Sequence, residues 1–120
     1  MTQLHCSGWW EQAGFGRQPM TGLELSFSNG RIQGRGTDIV GEFEMEGELT
    51  EDKISLRKHY IGKHSIDYRG TSVGEGAYTG TWSSCGFHGG NWFIGIVRSV
   101  GASGASMTDV QDIGSIKEGR

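Results

Sequence analysis

From Leu23 to Gly70 apolar and polar positions alternate with a period of two, the mark of strands buried on one face. Leu23, Leu25 and Phe27 share a face, with Glu24 and Ser26 on the other. Asn29-Gly30 follows, a strong hairpin signal because both residues tolerate positive φ, as a type I′ turn demands. A two-residue turn there sets Phe27 opposite Ile32, Leu25 opposite Gly34 and Leu23 opposite Gly36, and puts Glu24 beside Arg35 outside. The run 42–49 carries Phe43, Met45, Gly47 and Leu49 on one face and only glutamates on the other. The run 53–60 answers it: pairing Leu49 with Ile54 sets Glu46 opposite Arg57 and Glu44 opposite His59. The glutamate stripe therefore reads as a solvated sheet face.

In 64–70, a three-residue turn at Ile61-Gly62-Lys63 keeps Ile66 and Tyr68 inside and brings Arg57 opposite Asp67. A sixth strand spans 77–84 with Tyr78, Gly80 and Trp82 inward, and a seventh lies near 91–98, apolar on both faces. A segment around Trp9 and Trp10 supplies an eighth strand that pairs with the last and removes the open edges. Pro19 sits before the first alternating strand, where a missing N–H does no harm. The fold class expected is thus all-β, an antiparallel up-and-down meander of seven to eight strands closing into a barrel. It forms one domain over 1–98, with 99–120 as a flexible or short helical tail. Phe27, Ile32, Phe43, Met45, Leu56, Ile66, Tyr68 and Trp82 are expected to share its interior.

Composition sharpens this reading in a few places. The 120 residues suit one domain, and the 22 glycines far exceed the roughly 8 of average usage, as a turn-rich β protein requires. A net charge of −3 without basic runs speaks against a nucleic-acid partner, and no segment is long and apolar enough to suggest a membrane-spanning helix. The first residues lack the basic and apolar regions of a secretory signal, which favours a cytoplasmic location. Cys6 and Cys85 are too few for a disulfide scaffold. His5-Cys6 with Cys85-x-x-His88 has the ligand types of a zinc site but undistinguished spacing, so no metal and no cofactor is assigned.

In a meander alternate hairpins share an end. Extending the inward parity of 32–36 turns Asp38 inward at the end where Lys58, Tyr60, His64, Ser84 and the aromatic stretch Trp9, Trp10, Phe15 also gather. The other end holds Phe27, Ile32, Leu49, Ile54 and Gly70, an apolar plug. A barrel mouth with a few convergent polar groups is the ordinary place for a ligand. Asp38, Lys58, Tyr60, His64 and Trp82 are the expected ligand-binding residues, with Tyr68 and Met45 adding apolar area. Asp38 and His64 are expected to approach one another. The competing structural reading has Asp38 capping its own loop and Lys58 pairing with it while snorkelling to the rim.

The run 27–43, with its Asn29-Gly30, Gly34, Gly36 and Asp38-x-x-Gly41-x-Phe43, is followed by Lys58-x-Tyr60-x-Gly62-x-His64-x-Ile66-x-Tyr68-x-Gly70 and Gly80-x-Trp82. Together these pieces resemble a family of small β-rich domains whose role is mostly unassigned, which implies a domain and no particular activity. The layout is also similar to calycin-type barrels, the lipocalin and avidin class. The tryptophan-rich start is like a lipocalin opening, the downstream lipocalin pattern is missing, and no avidin biotin-binding motif is matched. The expected function is a noncatalytic small-molecule-binding barrel. The alternatives are an interaction or dimerisation module with a filled core, and a small enzyme with His64 as general base oriented by Asp38.

Overall fold

The computed structural model describes residues 3–97. The expected tail at 99–120 lies outside the described residues. Eight antiparallel strands form one closed barrel: β1 (Gln3–Gln12), β2 (Gly16–Ser28), β3 (Arg31–Thr37), β4 (Glu42–Thr50), β5 (Lys53–Tyr60), β6 (Ser65–Gly74), β7 (Ala77–Ser84) and β8 (Phe87–Ile96). Each strand pairs with its sequence neighbours, and β1 closes the ring against β8 from Cys6 opposite Ile96 to Trp10 opposite Trp92.

The registers follow the alternation. Phe27 faces Ile32 and Leu25 faces Gly34. Leu49 faces Ile54, Glu46 faces Arg57 and Glu44 faces His59, and Arg57 faces Asp67. Asn29 and Gly30 take φ of 54° and 78°, both positive as a type I′ turn needs. The glutamates of β4 are exposed and flanked by Arg31 and Arg35 on β3 as well as Arg57 on β5.

The first alternating strand departs from expectation. It begins at Gly16 rather than Leu23, and Pro19 lies within it, opposite Trp9. Pro19 falls on a stretch of β2 beyond the last residue paired with β3, an edge position that tolerates a missing donor. A bulge between Thr21 and Glu24 shifts the parity, so Met20 and Leu23 both point inward and the regular Leu23–Gly36 pairing is interrupted. Gly22 absorbs the bulge at φ 57°. The last strand likewise starts earlier, at Phe87, and its parity is settled by the burial of Trp92 and Ile94.

Of the eight residues expected inside, seven are buried; Phe27 is half-buried, packed on the core and stacked on Tyr78 at 6.2 Å. Gly70 and Gly80 face each other across β6 and β7. A Cβ on either would come within 2.0 Å of the opposite strand's backbone, so only glycine lets the sheet coil this tightly. The interior is filled from the β2–β3 end by Leu25, Ile32, Ile54 and Leu56. The hairpins at 13–15, 38–41, 61–64 and 85–86 form the other end.

Candidate functional site

Asp38 is set by its loop. Its backbone N–H donates to the Gly41 carbonyl at 3.1 Å, and the Gly41 N–H donates back at 3.0 Å. The Val40 N–H donates to Asp38 Oδ1 at 2.9 Å, an Asx-type closure that leaves Oδ2 turned into the barrel. There Oδ2 accepts from Lys58 Nζ at 2.5 Å, Tyr60 OH at 2.6 Å and Trp10 Nε1 at 3.0 Å. Both halves of the competing reading are thus realised in one residue, except that Lys58 does not snorkel: its side chain is 1% exposed and that of Asp38 0%.

Lys58 is on the inward parity of β5, which carries it into the barrel. Nζ also donates to Tyr68 OH at 3.1 Å, so two of its three N–H bonds have acceptors among the described residues. The rings of Phe43 and Tyr60 lie 4.4 and 4.8 Å away, and those of Trp10 and Tyr68 at 5.4 Å, an aromatic box that stabilises a cation.

Burial pulls the Lys58 ammonium down to about 8, although the Asp38 hydrogen bond and charge oppose it. Burial pushes the Asp38 carboxyl up, but the hydrogen bonds from Lys58 and Tyr60, the Lys58 charge and the Val40 N–H prevail and hold it below the usual range. Tyr60 is raised by burial and by the Asp38 carboxylate, as is Tyr68, so both phenols stay neutral.

Above this network lies a cavity of about 240 Å³ lined by Trp10, Gln12, Val40, Lys58, Tyr60, His64, Ile66, Tyr68, Trp82 and Ser84. Trp82 forms one wall. Its indole N–H donates to the Glu11 carbonyl at 2.9 Å, and it meets Trp10 edge-on at 6.0 Å. Gly89 makes room for it, since a Cβ there would fall 2.1 Å from the indole. Phe15 stacks on Trp10 at 6.0 Å. A larger depression, about 800 Å³, lies over outward-facing Gln33, Glu44, Arg57 and His59 and is a concavity of the solvated face.

The structure brings Asp38, Lys58, Tyr60 and Trp82 together at one end, and four of the five expected residues, Asp38 excepted, line the cavity directly. The expected Asp38–His64 approach does not form. His64 is exposed at the rim, its ring 5.3 Å from that of Tyr60, because the three-residue turn ends just beyond the buried part of β6. Lys58 takes the place beside Asp38 intended for the imidazole. Met45 is buried but does not line the cavity. Cys6, near the start of β1, and Cys85, in the β7–β8 turn, are free and at opposite barrel ends, so the four soft ligands do not converge. No cluster of three metal-ligating side chains exists among the described residues. Trp10 was not among the expected ligand-binding residues, yet it touches Asp38 and lines the cavity; its sequence signal was its place in the aromatic stretch expected at this end.

Fold and site together define a closed eight-stranded β-barrel with a filled half and a small aromatic cavity at one end. No protein-family model matches the chain and no curated protein matches it. Among solved structures it is similar to a redesigned β-barrel, mFAP1, bound to DFHBI, with a TM-score of 0.50 and 15% identity over 81% of this chain and 93% of that one. At that identity the likeness is one of fold. It supports the barrel layout, while the resemblance to the unassigned β-rich domains finds no counterpart.

Proposed function

We propose that the protein is a noncatalytic binding barrel that takes one small, flat, neutral molecule at the Lys58 end, oriented by a carbonyl or hydroxyl oxygen. The observation that carries this reading is Lys58, which lines an aromatic cavity and keeps a third N–H unmatched among the described residues. The volume, below the roughly 300–1,000 Å³ of drug-sized pockets, suits a single ring. Asp38 already neutralises Lys58, so an anionic ligand would set two carboxylates against one ammonium, and a cation would meet Lys58 itself. Trp82 and Tyr60 supply flat surface for a ring, and His64 and Ser84 supply polar groups at the rim. The mFAP1 barrel, bound to DFHBI, supports the idea that a barrel of this layout accommodates a small molecule.

Calorimetry with benzamide, benzoate and benzylamine tests the proposal. Benzamide should bind with a dissociation constant on the order of 0.1–1 mM, fitting its size, and the two charged analogues at least about tenfold more weakly. Equal binding of all three, or of none, contradicts it.

A second reading rests on four exposed apolar side chains, Phe15, Ile39, Ile61 and Phe87, one on each hairpin around the mouth. They would dock a partner protein over the mouth. A single ring bound at Lys58 with those four replaced by serine separates ligand binding from docking.

A further inference from the structure

The primary amine of Lys58, a residue lining the aromatic cavity, is also a nucleophile, and three features of its surroundings bear on that chemistry. Nζ of Lys58 is 1% exposed and shielded by four rings, so water does not solvate it freely. Lys58 is among the residues that line a cavity of about 240 Å³, enough for a ring-sized carbonyl compound. Asp38 Oδ2, 2.5 Å away and itself held by Tyr60 and Trp10, fixes a negative charge beside the nitrogen whatever the nitrogen is bonded to.

We propose that Lys58 forms an imine with small aldehydes that enter the mouth, making the barrel a reversible covalent carrier of an aromatic or short aliphatic aldehyde. This rests on the reading of the mouth as a small-molecule site. The neutral amine adds its lone pair to the carbonyl carbon, and one N–H proton passes to the carbonyl oxygen, giving a carbinolamine. The C–O bond then breaks, the oxygen leaves as water with the second nitrogen proton, and a C=N bond remains. One aldehyde and one amine become one imine and one water, with no oxidant or reductant. Protonated at nitrogen, the imine carries the same single positive charge as the ammonium it replaces, and Asp38 is its counter-ion.

The lowered basicity of Lys58, about 8, supports the chemistry. The downward shift, caused by burial, leaves more of this amine free in mildly alkaline solution than of an ordinary exposed lysine. Tyr60 and Tyr68 stay neutral and compete for no proton in that range.

Incubating the whole protein with benzaldehyde at pH 8, reducing with cyanoborohydride and mapping the peptides by mass spectrometry tests the proposal. One benzyl group is expected on Lys58, formed at least about tenfold faster than on exposed Lys53 or Lys63, and suppressed by excess benzamide. The wild-type map needs no variant, so loss of folding cannot imitate the result. Labelling confined to Lys53, Lys63, Lys117 or the amino terminus overturns the imine. If benzamide still binds in that case, the small-molecule site stands without the covalent step; if benzamide does not bind either, both fall.

Discussion

The two ends of the barrel are built from the same strands and do opposite things with their interior positions. At the β2–β3 end Leu25, Ile32, Ile54 and Leu56 close the interior with side chains that neither titrate nor leave space. At the other end β5 replaces the apolar pattern with Lys58 and Tyr60, and the loop after β3 turns Asp38 in to meet them. The first end gains from apolar burial alone. The second holds an ion pair whose desolvation largely offsets its attraction, so it adds little net stability while remaining sensitive to the loss of either partner. The cavity adjoins this pair, with Lys58 among its lining residues.

The sharpest way to break this contrast is to remove one charge. Lys58→Met should destabilise the barrel by about 3–5 kcal/mol in chemical denaturation, because it leaves Asp38 buried without its cation. The double variant Asp38→Asn/Lys58→Met should recover a large part of that loss, since no charge is left buried, the amide oxygen still accepts from the Val40 N–H, and its NH2 can donate to the Tyr60 hydroxyl oxygen. At the plug, Leu56→Ala should lower stability by about 2–5 kcal/mol with an unchanged denaturant slope and leave benzamide binding intact.

A smaller effect is expected from pH, and it belongs to the mouth. Between the folded Lys58 value of about 8 and the ordinary lysine range, the unfolded chain holds more protons, so stability rises with pH. Above about pH 10 unfolded tyrosines lose protons that Tyr60 and Tyr68 retain in the fold, so stability falls again. In acid, stability is lost as pH drops through the lowered Asp38 value, where the unfolded chain again binds the extra proton. Thermal unfolding across pH should therefore peak near pH 10, and the rise from pH 8 should vanish in the double variant. The smallest change is expected on the outer face. Arg57 meets Asp67 at 3.3 Å with both side chains well exposed, and Arg57→Ala should shift stability by at most about 0.5 kcal/mol.

Much of this was legible in the sequence wherever a turn and an alternation agreed. Asn29-Gly30 and the period-two run through Tyr68 set five strands in register, and the inward parity of β5 already placed Lys58 and Tyr60 inside. Alternation failed where the backbone departs from it: the bulge at Gly22 conceals the first half of β2. Of the two partners weighed for Asp38, Lys58 and His64, parity could not choose. Strand parity says which way a side chain starts, and the long lysine reaches a loop carboxylate that the imidazole, held at the rim, does not. Trp10 was obscured for a related reason, since adjacent Trp9 and Trp10 give no sign of which one faces in. Trp9 lies outside, stacked on Phe93 and covered by the Arg17 guanidinium, whereas Trp10 is buried.

That division among the tryptophans offers the most direct test of the mouth as a binding site. In a proton–nitrogen NMR titration with benzamide, the indole N–H signals of Trp10 and Trp82, which line the cavity, should move together and saturate. The signal of Trp9, on the outer face, should stay in place. Shifts confined to Trp9, or no saturable shift of Trp10 and Trp82 at millimolar benzamide, would contradict a ligand site at the Lys58 end.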